Sequence, residues 1–522
     1  MPAAQPASPW SPMVGNRQQL ESTHAYDHED GAPVTTTRRL RLHTPEDSAL
    51  ARGMAEIQRA LGLPTAFPPE VEQAAIVAAA HPRLPDEDRS DIAFVTIDPP
   101  DAMDLDQAMF VERNGDGFRV HYAIADVAAF VTAGDAIDLE AHRRGETLYG
   151  ADAKIPLHPK ALSEDAASLL PGQLRPALLW TIDVDASGEG IAVDVRRARI
   201  KSRAKLDYAS VQADIDGGKA DPMWAILREI GELRMQREQR RGGVSLPLPE
   251  QEIRVENGRW TLEFRARHPV EDWNEQISLL TGMAAAHLMV EHRVGLLRTL
   301  PDADPRAIAR LHRTARALGI DWPQSCGYPD FIRSLDPANP RHVAMMTACT
   351  TVLRGAGYVA FDGSVPEHSQ HSALAAQYTH ATAPLRRLVD RYTGETCIAL
   401  CAGTPVPQWV LDALSGLPAT MQDSARRAGR YENAVLDLAE AAALAPRVGE
   451  TFDGAIVELD ARNPKQGEVM LRDPAILARV EGGDALPLGD AVQVRLVEAD
   501  PATRSIRFEL IGKVAAGSPR GF

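Results

Sequence analysis

Four aspartates lie within nine residues immediately after a strand-like run, in the segment FVTIDPPDAMDLDQAMF. They are Asp98, Asp101, Asp104 and Asp106. Neighbouring carboxylates raise one another's pKa and destabilise a fold unless water or hard cations neutralise them. Oxygen ligands at this density suit Mg²⁺ or Mn²⁺, which leaves positions open for water and phosphate oxygens. The segment therefore predicts either a metal site for phosphoryl chemistry or an acidic loop without an ion.

The composition is typical of a soluble intracellular protein. The 522 residues are enough for three or four structural units at roughly 100–200 residues each. No apolar run approaches the roughly 18 residues that would span a bilayer, and the N-terminus lacks the features of a signal peptide. The four cysteines are scattered without C-x-x-C pairs, at Cys326, Cys349, Cys397 and Cys401. We expect a cytoplasmic monomer with no membrane partner.

The distribution of basic residues bears on nucleic-acid binding, because the net charge of −16 by itself argues against it. From Val195 the sequence reads VRRARIKSRAKLDY and places a cation at every second position. These cations are Arg197, Arg199, Lys201, Arg203 and Lys205. Strand periodicity would put all five on one face. That face is predicted to be either a solvated surface or a nucleic-acid contact.

The chain divides into five segments by composition and periodicity. Residues 1–36 and 514–522 are predicted to be tails, the first of them disordered. Helical patterns in 37–87 indicate a small N-terminal module, either a nucleic-acid-binding helix-turn-helix or a cap on the main domain. Residues 88–446 alternate β-rich runs with long helical stretches, and 447–513 contain short strands separated by turn residues. The predicted fold class is α+β multidomain, with a mixed α/β body and a C-terminal OB-fold β-barrel.

The aspartate segment resembles the signature of the ribonuclease II / RNase R family, whose catalytic domain is called RNB. The shared pattern is D-x5-D-x-D after a strand, from Asp98 to Asp106. Later segments follow in the family's order: AIADVAAFV, IPLHPKALSEDAASLLPG and YTHATAPLRR, the last resembling the family block Y-x-H-F-T-S-P-I-R-R. The resemblance covers residues 88–445, and the C-terminal strands are similar to the OB-fold that closes these enzymes. It implies a processive 3′-to-5′ exoribonuclease that hydrolyses single-stranded RNA with a free 3′ end to nucleoside 5′-monophosphates.

The resemblance also implies which residues bind metal and carry the reaction. Asp98, Asp104 and Asp106 match the family acids that bind metal and position the attacking water. Gln107 stands where the family usually has a fourth Asp, so one metal ligand is neutral and a second Mg²⁺ or Mn²⁺ would be held less strongly. Arg386 matches the family arginine that stabilises charge developing on the phosphate.

A further set of residues is implied to bind RNA. Tyr208 matches the family tyrosine that stacks on the 3′-terminal base, an interaction that accepts every base. Arg387 lies beside Arg386 and is expected to contact phosphates. The remaining predicted RNA-binding residues come from the YTHATAPLRR block and the alternating basic segment: Tyr378, His380, Arg203 and Lys205.

Two rival functions stay open. Gln107 and the net negative charge are compatible with a catalytically impaired relative that binds RNA without cleaving it. A D-x-D pair also occurs in phosphatases of the haloacid-dehalogenase type, but these need a hydroxyl residue shortly after the second Asp, where this chain has Gln107, Ala108 and Met109. Fewer than 90 residues precede the RNB-like segment, where the family usually has two cold-shock domains. We therefore expect a different RNA clamp.

Overall fold

A computed structural model describes residues 49–514, apart from 151–153, 220, 245–249, 257–258, 266, 337–338, 354, 461 and 472–475. The predicted tail over 1–36 and residues 515–522 of the second tail lie outside the described residues.

The described residues contain helices on both sides of the central sheet and at the N-terminus. They are α1 (Ala49–Ala60), α2 (Pro69–Ala80), α3 (Ala136–Arg144), α4 (Tyr208–Asp216), α5 (Pro222–Arg241), α6 (Pro269–His292), α7 (Pro305–Ala317), α8 (Tyr328–Arg333), α9 (Pro340–Cys349), α10 (Leu388–Cys401), α11 (Gln408–Leu414) and α12 (Leu417–Leu444).

The strands fall into a central body and a C-terminal barrel. Those of the body are β1 (Val95–Ile97), β2 (Gln107–Asn114), β3 (Gly117–Ala125), β4 (Leu148–Tyr149), β5 (Lys154–Ile155), β6 (Leu174–Val184), β7 (Gly190–Lys201), β8 (Ala204–Leu206), β9 (Glu250–Glu256), β10 (Arg259–Arg265), β11 (Val294–Thr299) and β12 (Gly357–Asp362). Those of the barrel are β13 (Thr451–Leu459), β14 (Gln466–Leu471), β15 (Leu477–Glu481), β16 (Ala491–Asp500) and β17 (Ser505–Lys513).

The central sheet has the strand order β7-β6-β3-β2-β1-β8. Its middle strand β3 is buried at eight of its nine positions and forms a hairpin with β2, whose turn contains Gly115 at a φ of 58°. A residue with positive φ is tolerated best as glycine, which has no Cβ to clash. The loop between β1 and β2 carries the four aspartates. The loop therefore connects β1, which pairs with the edge strand β8, to β2, which pairs with the buried strand β3.

The predicted continuous basic strand is wrong beyond Lys201. Up to that residue the alternation is confirmed, because Ala198 and Ile200 are fully buried between the cations. The chain then breaks at Ser202, whose buried hydroxyl donates to the Ala204 carbonyl at 3.1 Å. The next strand, β8, pairs in parallel with β1 and lies at the other end of the strand order from β7. The five cations therefore belong to two strands with different partners.

The two N-terminal helices pack on different parts of the body. Met54 and Ile57 of α1 are buried in a cluster with Leu438 of α12, whereas Val71 and Ala75 of α2 lie in the cluster that also contains α3. Both helices are thus attached to the main domain, and binding of nucleic acid by this module stays a prediction. Among the described helices, none is both long enough and apolar enough to cross a bilayer.

The five C-terminal strands close into a barrel with the order β13-β14-β15-β17-β16, which confirms the predicted OB-like fold. Their apolar side chains fill the interior, where the rings of Phe452 and Phe508 meet edge to face at a centroid distance of 5.6 Å. These two aromatic residues are 4% and 0% exposed, so they pack the barrel core and present no surface on which a base could stack.

Helix α6 passes so close to the YTHATAPLRR segment that a side chain at Gly282 has no room. A Cβ there would lie 2.2 Å from Tyr378 Cε2 and 2.4 Å from the Thr379 carbonyl oxygen. Gly→Ala inside a helix ordinarily stabilises by about 1 kcal/mol. We predict that Gly282→Ala instead lowers the free energy of unfolding by about 1–3 kcal/mol, as overpacking does.

Chemical denaturation measures this change, and Gly483→Ala is the control because nothing lies within 4 Å of the added Cβ. Equal stability of the two variants would contradict the close approach of α6 and the YTHATAPLRR segment.

Candidate active site

The aspartate loop is clamped to the sheet at both ends. At its start, the Asp98 N–H donates to the Leu206 carbonyl at 3.0 Å, which extends the parallel pairing of β1 with β8. At its end, the Ala125 N–H donates to the Asp106 carbonyl at 2.9 Å. The loop therefore leaves and re-enters the sheet at fixed points.

Asp106 joins the loop to the distant YTHATAPLRR segment. Its side chain is 5% exposed, and its Oδ1 accepts a hydrogen bond from the Leu385 N–H at 2.7 Å. Its Oδ2 lies 3.6 Å from the Arg386 Nε. Burial raises the pKa of the Asp106 carboxyl well above its ordinary value, while the Arg386 charge and the Leu385 N–H oppose that rise. A cation near this carboxylate would favour its charged form.

Asp104 has a partner that the sequence did not reveal. The Lys154 Nζ lies 2.6 Å from Asp104 Oδ1 and 3.0 Å from Glu164 Oε1. Lys154 is the residue just before the IPLHPKALSEDAASLLPG segment, and no role was predicted for it. The sequence shows a lysine directly before Ile155, but it does not show the partner of this lysine, because Asp104 lies 50 residues earlier in the chain.

Gln107 is the first residue of β2, and its side-chain nitrogen donates to the Thr382 carbonyl. The amide thus makes a second connection between the aspartate loop and the YTHATAPLRR segment. A carboxylate, which only accepts hydrogen bonds, could not make this contact. Gln107 therefore acts here as a structural donor, and its predicted place among the metal ligands rests on the resemblance alone.

The two adjacent arginines have different surroundings. Arg386 is 38% exposed and faces Asp106. Arg387 makes two hydrogen bonds of 2.9 Å to the buried Asp390, which in turn accepts the Ala383 N–H at 2.7 Å. Because its guanidinium is held by Asp390, Arg387 stabilises the turn that carries Arg386. The predicted contact of Arg387 with phosphate would have to use N–H groups other than those that donate to Asp390.

The predicted aromatic residues lie in two parts of the chain, Tyr208 in α4 and Tyr378 with His380 in the YTHATAPLRR segment. Tyr208 begins α4, two residues after the Leu206 carbonyl that holds Asp98, and its hydroxyl accepts a hydrogen bond of 3.0 Å from Asn274. It is half-buried at the same edge of the sheet as the aspartate loop. Its stacking on a terminal base stays a prediction.

Tyr378 and His380 meet edge to face at a centroid distance of 5.5 Å. The Tyr358 hydroxyl lies 2.6 Å from His380 Nδ1, and burial lowers the pKa of His380 well below its ordinary value. His380 is therefore neutral, and the pair offers no positive charge to a phosphate.

The two basic residues predicted to bind RNA contact the protein itself. The Arg203 guanidinium pairs with the Asp221 carboxylate at 3.1 Å on the surface, and the Lys205 Nζ donates to the Pro100 carbonyl at 2.6 Å. Lys205 thereby holds the first turn of the aspartate loop. Both residues border the candidate site, and their RNA contact stays a prediction.

The donor chemistry of the loop fits one hard divalent cation. Asp98, Asp104 and Asp106 provide carboxylate oxygens, as Mg²⁺ or Mn²⁺ requires. Across the described parts of the chain, however, no three His, Cys, Asp or Glu side chains stand preassembled around a metal position. Lys154 holds Asp104, and the Gln107 amide is turned to Thr382. Asp104 and Gln107 therefore already have partners within the chain.

Comparisons with known proteins agree with this architecture. A family model described as RNB domain matches residues 86–397, and one described as RNase II-type exonuclease C-terminal S1 domain matches residues 450–511. Ribonuclease R of Aquifex aeolicus is 26% identical over 519 residues, which cover 91% of this chain and 72% of that relative. Ribonuclease R of Escherichia coli is 27% identical over 509 residues, which cover 87% of this chain and 61% of that relative.

A solved structure has a similar fold. Mycoplasma genitalium RNase R in complex with ribose methylated single-stranded RNA aligns with a TM-score of 0.78 at 19% identity, covering 89% of this chain and 78% of that chain. At this identity the likeness concerns the fold. The chain spans less than two thirds of the length of the E. coli relative.

The contact between Gln107 and Thr382 makes a prediction about stability. Gln107→Glu should lower the free energy of unfolding at pH 8 by about 1–3 kcal/mol, because a carboxylate would face the Thr382 carbonyl oxygen. At pH 5 the loss should be smaller. The unfavourable contact raises the pKa of the new carboxyl in the folded state, so the neutral acid, which can donate, is populated as the pH falls.

Thermal melts of the variant and the wild type at both pH values measure the difference. Gln422→Glu is the control, because Gln422 is exposed on α12. A loss that is independent of pH, or equal in the two variants, would mean that the Gln107 amide does not donate to Thr382.

Proposed function

This chain belongs to the family of RNB-domain ribonucleases, and we propose that it is a processive, divalent-metal-dependent 3′-to-5′ exoribonuclease. Its substrate is single-stranded RNA with a free 3′ end, and its products are nucleoside 5′-monophosphates. The observation that carries the proposal is the position of Asp106, a buried carboxylate held by the Leu385 N–H and placed 3.6 Å from a half-exposed arginine. The RNA-bound state of the M. genitalium relative supports an RNA substrate.

Phosphodiester hydrolysis needs positive charge where negative charge develops on the phosphate. Arg386 is suited to this task, because its side chain is 38% exposed while Asp106 orients it from behind. A guanidinium presents several donors in one plane, which matches the geometry of phosphate oxygens. Arg387 positions Arg386 through its hydrogen bonds to Asp390.

The metal, Mg²⁺ or Mn²⁺, would be held by Asp98, Asp104 and Asp106 and would supply Lewis-acid charge and an activated water. Both ends of the loop that carries these carboxylates are held to the sheet by backbone hydrogen bonds. Tyr208, two residues after the Leu206 carbonyl that accepts the Asp98 N–H, would stack on the 3′-terminal base, which suits an enzyme that accepts every base. The aromatic ring and the carboxylates together would place the last phosphodiester bond at the loop.

The alternative is an RNA-binding protein with impaired catalysis. Its motivation is Gln107, whose amide contacts Thr382 and adds no charge to the site. Incubating 5′-labelled single-stranded RNA with the protein and Mg²⁺ separates the two functions. Short end products and released mononucleotides support the exoribonuclease. Intact RNA that nevertheless co-migrates with the protein would support the alternative.

We predict that Asp106→Asn nearly abolishes cleavage and leaves RNA affinity unchanged. Asparagine keeps an oxygen that accepts the Leu385 N–H, so the variant loses the negative charge but not the connection to the second motif. Single-turnover cleavage and fluorescence anisotropy measure the two quantities. Asp101→Asn, an exposed residue of the same loop that matches no family acid, is the control and should retain activity. A third or more of wild-type turnover in Asp106→Asn would refute the assignment.

Arg386→Ala should lower turnover by on the order of 10²–10³-fold, the effect of removing a preorganised donor from developing charge. Its melting temperature should fall only modestly, because the Leu385 N–H still holds Asp106 and the Arg386 Nε lies 3.6 Å from this carboxylate, beyond hydrogen-bond distance. Arg387→Ala should instead lower the melting temperature, since it leaves the buried Asp390 carboxylate without its cation. Steady-state kinetics with thermal melts on both variants test this contrast. Weaker RNA binding with unchanged turnover in Arg386→Ala would mean that Arg386 only positions phosphate.

A further inference from the structure

Lys154 brings a positive charge into the aspartate loop from a separate element. Its Nζ lies between two carboxylates, 2.6 Å from Asp104 and 3.0 Å from Glu164. The three side chains are 21%, 13% and 20% exposed, so the cluster is largely shielded from water. An ion pair in such surroundings is screened less than one on the surface.

The backbone at Lys154 and the backbone at Asp104 are each held by other contacts. Lys154 belongs to the β4–β5 pair, in which Leu148 faces Ile155, and both of these residues are buried. Opposite, the buried Ser168 hydroxyl donates to the Met103 carbonyl at 2.6 Å and accepts the Leu105 N–H at 3.0 Å. These two bonds fix the backbone on each side of Asp104. The meeting of ammonium and carboxylate is thus set by the fold.

The contact between Lys154 and Asp104 changes the balance of charge at the aspartate loop. The loop offers three carboxylates at the matched positions, and the fourth position carries the neutral Gln107. Arg386 lies against Asp106, and Lys154 lies against Asp104. Asp106 and Asp104 therefore each have a cation from the chain itself. A second divalent ion at Asp104 would have to displace this ammonium.

We propose that Lys154 is a positioning residue that takes the place of a second cation, so that the active site holds one divalent ion and one ammonium. This inference rests on the proposed function only for the identity of the reaction. The number of ions bound in the absence of RNA is a property of the folded protein. It can be measured whether or not the protein cleaves RNA.

The experiment counts Mn²⁺ ions on the RNA-free, full-length protein, using the electron paramagnetic resonance signal of free Mn²⁺ during a titration. We expect one ion for the wild type. Lys154→Met should bind two, because Asp104 and Glu164 lose their shared counter-charge. Lys154→Arg keeps a cation and should bind one. Lys160→Met is the matched control, since Lys160 contacts the same Glu164 at 3.8 Å but is 73% exposed, and it should also bind one.

A second readout uses Mg²⁺ dependence of cleavage, where the Hill coefficient should rise from about one in the wild type to about two in Lys154→Met. Two ions on the wild type, or one ion on a Lys154→Met variant whose melting curve shows that it is folded, would overturn the proposal. If Lys154→Met is unfolded, two ions on Lys154→Arg would overturn it and one ion would support it. Absence of cleavage by a wild type that binds one ion would instead refute the proposed function and leave this inference standing.

Discussion

The hydrogen bond from the Leu385 N–H to Asp106 Oδ1 is the contact on which the site depends. It joins residues 279 positions apart and is the point at which the aspartate loop meets the YTHATAPLRR segment. Arg386 follows Leu385 directly, so the same bond brings the guanidinium to the carboxylates. A buried carboxylate is costly unless its oxygens are satisfied, which makes this pairing a condition of folding as well as of chemistry. Gln107 reinforces it through the Thr382 carbonyl.

Many of the cations in this acidic chain stabilise its own fold. Arg387 is bound by Asp390, Arg391 by Asp138, and Arg197 by both Asp126 and Glu395. Removing one partner of such a buried pair leaves an uncompensated charge, so each pair fixes the relative position of two elements. The net charge of −16 is thus compatible with a site for an anionic polymer. Arg386, which is 38% exposed beside Asp106, is a cation left accessible at the candidate site.

Two departures at the aspartate loop concern the same balance of charge. A neutral Gln107 removes one negative charge, and Lys154 adds one positive charge beside Asp104. Both changes weaken the attraction of the loop for a second divalent ion. Since Gln107 also donates to Thr382, the amide is tied to the backbone in a way that a carboxylate could not be. The charge balance at the loop and the hydrogen bond to Thr382 therefore both favour an amide at position 107.

The sequence by itself determined the features that depend on local pattern: the crowded aspartates, the strand that precedes them, the mixed α/β body and the C-terminal barrel. Strand alternation and turn residues act over a few positions, so they are legible without a structure. The same pattern failed at Ser202, because β7 ends where its pairing with β6 ends, at Lys201, and the next strand pairs with β1, which lies far earlier in the chain. Only the tertiary structure placed Lys154 against Asp104, bound Arg203 and Lys205 to neighbouring groups, and turned Gln107 to Thr382. Each of these contacts links separate elements, and an ion pair or hydrogen bond acts over a few ångströms of space, whatever the distance along the chain.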